Sequence, residues 1–215
     1  MNLNSKNKLK VAIVNYGMGN LLSVKRAFDY CGSYSVITNK EKEIYNSDLI
    51  ILPGVGSFKK AMENLKNLKL HITIKEASIK KKIILGICLG AQLLMTESEE
   101  HGLTQGLDLI EGYVKKINTN KAKIPNIGWR EINFINDHIK PNSFFEKVKK
   151  KDVFYFIHSY KIILKEKKYL LAQSKYDNLK ISSIIKKDNV IGFQFHPEKS
   201  SLSGLNLIKN LLKSI

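Results

Sequence analysis

At 215 residues and 43% hydrophobic content, the chain is long enough for one well-buried domain over residues 1–215, and its two cysteines exclude a disulfide framework or a metal-ligand spacing. No apolar run approaches the roughly 18 residues of a membrane span, and the polar, basic start lacks the apolar centre of a leader, so a cytoplasmic protein with no membrane partner, metal or cofactor is expected. The formal net charge of +17 does not argue for a nucleic-acid partner, because all of the 36 Lys and Arg residues except Arg26 and Arg130 are lysines scattered along the chain, and base and phosphate readers favour the arginine fork.

Residues 9–16 (LKVAIVNY) read as a buried strand. Gly17-Met18-Gly19-Asn20 follows as a tight turn with exposed backbone, short of a full dinucleotide fingerprint. An amphipathic helix over 21–30 closes near Gly32. Strands are expected at 34–38 and 48–52. The second ends in Pro53-Gly54-Val55-Gly56-Ser57-Phe58. Two glycines directly after a buried strand point either to a loop that presents free N–H groups or to a plain turn. Ser57 is placed to cap a helix running to Leu68, and a second helical pattern covers 71–81.

Residues 82–94 (KIILGICLGAQLL) are the most informative stretch. An apolar strand passes through Gly86-Ile87-Cys88-Leu89-Gly90 and continues as a helix pattern, the layout of a nucleophile elbow with cysteine in place of serine. A nucleophile on so sharp a turn leaves no room for a neighbouring Cβ, which accounts for both glycines. The following helix would favour thiolate over thiol and hold a developing oxyanion. The competing reading is a core cysteine between two packing glycines. Alternating strands and helices over the first hundred residues argue for a parallel sheet covered on both faces, with functional groups at the carboxyl ends of its strands. The GMGN turn, the PGVG loop and Cys88 all fall at such ends, which favours the nucleophile.

After Glu100 short β-type runs dominate, at 109–117, 130–135, 153–160, 161–164, 169–173, 181–185 and 190–195. Polar turns such as 118–120 and 187–189 separate them, and the half reads as antiparallel. A helix over 202–212 closes the chain. The fold class expected is α/β: a single three-layer domain with a central mostly parallel sheet, a cysteine elbow and a strand-rich C-terminal half.

A thiol nucleophile needs a base, and the base needs an orienting group. His71 and His138 read as solvated surface residues, and His101 is ambiguous. His158 ends an aromatic strand and suits a hydrogen-bonded wall residue as well as a base. His196 follows an apolar strand and precedes Pro197-Glu198, so base and carboxylate are held two residues apart; it is the base expected here, with Glu198 behind it. Cys31 ends a helix and reads as core packing.

Gly86-Ile87-Cys88-Leu89-Gly90 with Gln92, together with Gly192-Phe193-Gln194-Phe195-His196-Pro197-Glu198, resembles the class I (triad-type) glutamine amidotransferases. The NYGMGN, PGVGSF, Gly128-Trp129 and HPEKS segments narrow the resemblance to the HisH glutaminase subunits of imidazole glycerol phosphate synthase, in order over essentially the whole chain. The resemblance implies a Cys88-His196-Glu198 triad that hydrolyses L-glutamine to glutamate and ammonia. It implies oxyanion contacts from the backbone of Leu89 and of Val55 or Gly56, and glutamine binding by Gly54, Gln92, Glu100, Ser159 and Tyr160. It also implies a heterodimer with a cyclase subunit, HisF, docked on Asn15, Met18, Asn20, Pro125, Trp129 and Tyr155, into which ammonia would pass.

One segment departs from the family. Where it usually carries Pro-His-Met-Gly-Trp-Asn, this chain has Pro125-Asn126-Ile127-Gly128-Trp129-Arg130. The departure keeps open a paralogue that supplies ammonia for amidination of a bacterial surface sugar. Further alternatives are a cysteine peptidase or γ-glutamyl hydrolase, which would not need a docking turn, and a non-catalytic scaffold, against which the intact triad argues.

Overall fold

The computed structural model describes residues 8–119, 121–135, 148 and 152–215. The first part alternates: β1 (Lys10–Val14), α1 (Leu21–Tyr30), β2 (Tyr34–Thr38), α2 (Glu41–Tyr45), β3 (Leu49–Leu52), α3 (Phe58–Asn67), α4 (Leu70–Ile79), β4 (Ile83–Ile87) and α5 (Leu89–Leu93). Strands then dominate: β5 (Glu97–Ser98), β6 (Thr104–Gln105), β7 (Gly112–Lys116), β8 (Asn126–Glu131), β9 (Asn133–Phe134), β10 (Val153–His158), β11 (Tyr160–Leu164), β12 (Leu170–Tyr176), β13 (Leu179–Lys187) and β14 (Val190–Phe193). The last element is α6 (Ser201–Lys213).

Eight strands form the main sheet in the order β2-β1-β3-β4-β14-β13-β12-β9. Its first five are mutually parallel and the remaining pairings antiparallel. Every residue of β3 is buried, and β4 is nearly so. Such continuous apolar runs belong to strands covered on both faces. On one face Val24 and Phe28 of α1 and Leu207 and Leu211 of α6 pack against Val11, Ile13 and Phe193. On the other, Phe58 and Met62 of α3, Ile74 of α4 and Leu93 of α5 pack against Ile50, Leu52 and Ile84. These are the three layers expected. A second sheet, β11-β7-β5-β6, and a two-stranded pair, β10-β8, complete the strand-rich half.

Three expectations are corrected. The C-terminal strands are not all antiparallel: β14 pairs parallel with β4, with Gly192 opposite Gly86, because its wholly buried VIGF suits a central slot. The strand expected over 130–135 divides into β8 and β9, interrupted where Ile132 turns into the core. Ser57 precedes α3 but makes no side-chain cap. The N–H of Phe58 instead donates to Glu100 Oε2 at 2.6 Å, so a carboxylate from 42 residues away satisfies that helix end. The short helix α2, which buries only Ile44, has no counterpart in the expected elements. The turn residue Asn120 and His138 lie outside the described residues.

Candidate active site

Cys88 leaves the carboxyl end of β4 with φ 53° and ψ −109°. A residue with a Cβ holds such a conformation only when its surroundings impose it. Here they do. The Cys88 N–H donates to the Phe193 carbonyl at 2.7 Å, extending the β4–β14 ladder. A Cβ on Gly90 would lie 1.7 Å from the Leu52 carbonyl oxygen, and one on Gly86 would lie 2.6 Å from that of Gly90. Strand, elbow and helix are thus pressed together in a way that only glycine at both positions permits.

Because β14 runs parallel to β4, the chain after it emerges at the same sheet edge as Cys88. His196, 2% exposed, sits there with three ties. Its Nδ1 donates to Glu198 Oε1 at 2.7 Å, its backbone N–H donates to the Tyr155 carbonyl at 2.9 Å, and its carbonyl accepts from Ser200 Oγ at 2.6 Å. Nε2 is buried and makes no hydrogen bond of ordinary geometry. Burial disfavours the imidazolium, but Cys88 and Glu198 on either side outweigh it and raise its pKa to about 10.

A cavity of about 290 Å³ opens over the thiol. Val55, Gly56, Leu89, Gln92, Glu100, Ser159 and Tyr160, named in the sequence analysis, lie along its lining. Gly54 does not line it. It lies beneath, where a Cβ would meet the Tyr16 hydroxyl at 2.6 Å and Leu89 Cβ at 2.9 Å. That hydroxyl donates to the Pro53 carbonyl at 2.5 Å, pinning the start of the PGVG loop. Gly56, at φ 104°, adopts a backbone conformation natural to glycine.

Four polar residues join the site beyond the expected set. Gln194, fully buried, accepts from Gln92 Nε2 at 3.1 Å and places its own Nε2 4.0 Å from Cys88 Sγ. A glutamine within an apolar strand, two residues before the base, was the sequence signal for it. His158 is a wall residue of the cavity, as one of its two readings had it: its Nδ1 donates to the Tyr160 carbonyl at 2.7 Å. Asn126 Nδ2 donates to His158 Nε2 at 3.0 Å from a position with no exposure. Tyr16 is the fourth. Among the other histidines, His101 is exposed at φ 55°. His71 is half-buried near the Leu65 carbonyl rather than fully solvated. Cys31 is half-buried and packs against the core as expected.

The residues expected to dock a partner divide. Trp129, 46% exposed, meets the Tyr155 ring edge-on at 5.9 Å, and Ile127 and Ile157 extend this apolar strip. Pro125 is exposed and also lines the cavity, at its rim. Asn20 is occupied in capping α1 through Ser23 N at 3.2 Å, and Asn15 accepts from Gly17 N at 3.1 Å. Met18, half-buried, lies over Gly56. Among the described residues no group of three or more His, Cys, Asp or Glu is arranged for a metal, and no helix is long and apolar enough to cross a membrane.

The family model described as Glutamine amidotransferase class-I matches residues 12–214. The imidazole glycerol phosphate synthase subunit HisH of Chlorobaculum tepidum is 40% identical over 200 residues, covering 93% of this chain and 98% of that protein. That of Oceanobacillus iheyensis is 42% identical over 199 residues, covering 93% and 96%. The chain belongs to the class-I glutamine amidotransferases, in the HisH family. Among solved structures, PurLQS from Thermotoga maritima superposes with a TM-score of 0.70 at 18% identity, covering 97% of each chain, a likeness of fold. Against the amidotransferase pattern, the departures Asn126 and Arg130 stand behind the exposed strip: Asn126 is buried, and Arg130 is half-buried with its guanidinium bound back onto β8.

Proposed function

We propose that this chain is the glutaminase subunit of an imidazole glycerol phosphate synthase, hydrolysing glutamine and delivering the ammonia to a cyclase subunit. The observation that carries the chemistry is the parallel pairing of β14 with β4, which sets His196 and its Glu198 beside a cysteine on a strained elbow. Cys88 is the nucleophile. Its thiolate adds to the carboxamide carbon of glutamine, and the carbonyl oxygen takes the negative charge. The N–H of Leu89 and a backbone N–H of the Val55–Gly56 segment receive that charge; one such donor is worth about 10²–10³ in rate. Imidazolium His196 gives its Nε2 proton to the departing nitrogen, so ammonia leaves and a γ-glutamyl thioester remains. Neutral His196 then takes a proton from water, which cleaves the thioester to glutamate and restores the thiolate. Glu198 fixes the ring and supports its charged form.

Gln92, Glu100, Ser159 and Tyr160 hold the glutamine, with Gly54 supporting the loop from below. The strip around Trp129 and Tyr155, with Met18, Asn15, Asn20 and Pro125 at its margin, forms the docking face for the cyclase. An apolar strip beside the cavity mouth would allow ammonia to leave unprotonated without crossing water.

The test is glutamate release from glutamine by the purified chain, alone and with the cyclase subunit plus its ribonucleotide substrate. A large rise with that pair, abolished by Cys88→Ala, is expected. No rise, with Cys88 still alkylated by a glutamine-analogue inhibitor, would transfer the chain to another acceptor, and the sugar-amidinating paralogue would become the better reading. Low activity is expected of the isolated chain, with the PGVG loop gating the oxyanion position until the partner docks; high activity alone would refute that gating.

A further inference from the structure

The polar residues behind the cavity form a chain whose hydrogen-bond directions are fixed from one end. Arg130 is a donor only. Its Nε points to Asn126 Oδ1 at 3.3 Å, while its Nη1 and Nη2 face the carbonyl oxygens of Trp129 at 3.4 Å and Ile127 at 3.5 Å. The Tyr176 ring lies 5.0 Å from its Cζ. With Oδ1 committed to the guanidinium, the Asn126 amide must present Nδ2 to His158, 3.0 Å away. His158 Nε2 is then the acceptor, and the ring proton is on Nδ1, which donates to the Tyr160 carbonyl at 2.7 Å. That carbonyl also accepts from Gln92 Nε2 at 3.0 Å, and Gln92 and Tyr160 both line the cavity.

We propose that Arg130, Asn126 and His158 are positioning residues, forming a one-way hydrogen-bond relay that fixes the Tyr160 carbonyl at the wall of the glutamine pocket, with Asn126 and Arg130 acting as a matched pair. The proposal rests on the reading of this cavity as the glutamine site. Reversing any link sets like against like. A flipped Asn126 amide would oppose two donors at Arg130, and a protonated His158 would oppose two donors at Asn126. Asn126 has no exposure and His158 is 6% exposed, so water does not repair a reversed link. Burial pushes the His158 pKa down to about 4; the bond to Tyr160 opposes this, and the charge on His196 adds to it. A neutral ring is what the relay requires. The two departures from the family segment are therefore one change: an amide at 126 needs a pure donor at 130 to orient it.

Two measurements on the full chain test this. Nitrogen-15 chemical shifts of the imidazoles, read near neutral pH in the unmodified protein, should show His158 neutral with its proton on Nδ1. A proton on Nε2, or a charged ring, overturns the relay. Second, glutamine kinetics in the presence of the cyclase subunit compare Asn126→His, Arg130→Asn and the double substitution. Loss of one neutral hydrogen bond predicts a KM increase of about three- to tenfold in each single variant, with kcat nearly unchanged, because the carbonyl is a ground-state contact. The double variant should recover most of the loss. Additive losses, or an unchanged KM in both single variants, overturn the matched pair. If the unmodified chain turns over no glutamine while the shifts are as expected, the glutamine reading fails and the relay stands.

Discussion

Replacing Glu198 with glutamine removes one charge from the site and almost nothing else. The amide retains an oxygen that accepts from His196 Nδ1, and the two side chains are only 3% and 1% exposed, so water does not substitute for the lost carboxylate. A hydrogen bond to a charged group is worth about 1.5–3 kcal/mol, against about 0.5–1.5 for a neutral one. The imidazolium therefore loses about 1–2 kcal/mol, which is about one pKa unit at 1.36 kcal/mol per unit. His196 is held near 10 in the fold against 6.5 as its ordinary value. Glu198→Gln should bring the alkaline limb of the kcat profile down by about one unit, lowering kcat about tenfold at about pH 11 and little near pH 8, where the ring stays charged in both forms. KM should change little, since Glu198 does not line the cavity. Stability follows the same sign. A pKa raised by folding contributes stability that is fully present below 6.5 and lost as pH rises through about 10. The melting temperature of the unmodified chain should accordingly fall between these values, and that of Glu198→Gln should fall less. An unaltered alkaline limb together with an unaltered melting profile would refute the assignment of Glu198 as the group supporting the imidazolium.

Gly90→Ala drives a methyl group to 1.7 Å from the Leu52 carbonyl oxygen. It should destabilise the chain by about 3 kcal/mol or more, a melting shift of at least about 6 °C by calorimetry, and an unshifted transition would contradict the close packing. Tyr16→Phe leaves the Pro53 carbonyl, fully buried, without its hydroxyl donor. Stability should fall by about 1–3 kcal/mol, and glutaminase kcat should fall more than KM rises, because the PGVG loop is loosened where it would receive the oxyanion; steady-state kinetics would show this. Trp129→Ala, at a half-exposed ring outside the cavity, should weaken binding to the cyclase subunit about thirtyfold or more by titration calorimetry and leave the melting temperature within about 2 °C.

Much of the site was legible because its chemistry is carried by short local motifs. Strain at Cys88 requires its flanking glycines, and His196 and Glu198 sit two residues apart. What escaped the sequence reading depends on pairing between distant segments. Nothing local says that VIGF lies parallel to IILGI, although that pairing brings His196 and Cys88 to one sheet edge. Asn126 and His158 are 32 residues apart, and neither residue type announces the other until β8 and β10 align. Ser57 has every local feature of a helix cap, and a distant carboxylate takes the position instead. The short α2 buries a single side chain, too little to produce a period.

The β8–β10 pair explains why docking and catalysis are expected to be coupled. Side chains alternate along a strand, so each strand serves two surfaces. Ile127, Trp129, Tyr155 and Ile157 face outward as the apolar strip, while Asn126, Phe154, Phe156 and His158 face inward. The backbone between them is itself part of the site. The Tyr155 carbonyl accepts from the His196 N–H at 2.9 Å, the Tyr155 N–H donates to Ser200 Oγ at 2.9 Å, and the Ile157 carbonyl lies 3.7 Å from Cys88 Sγ. A partner that presses on Trp129 and Tyr155 would therefore act on the strand that holds His196 and walls Cys88. No long pathway is needed between the two surfaces, because they are the two faces of one hydrogen-bonded ribbon. In this arrangement a small shift at the proposed docking face is expected to alter the thiol–imidazole geometry, and the proposed relay through Asn126 and His158 would carry it on to the proposed glutamine wall.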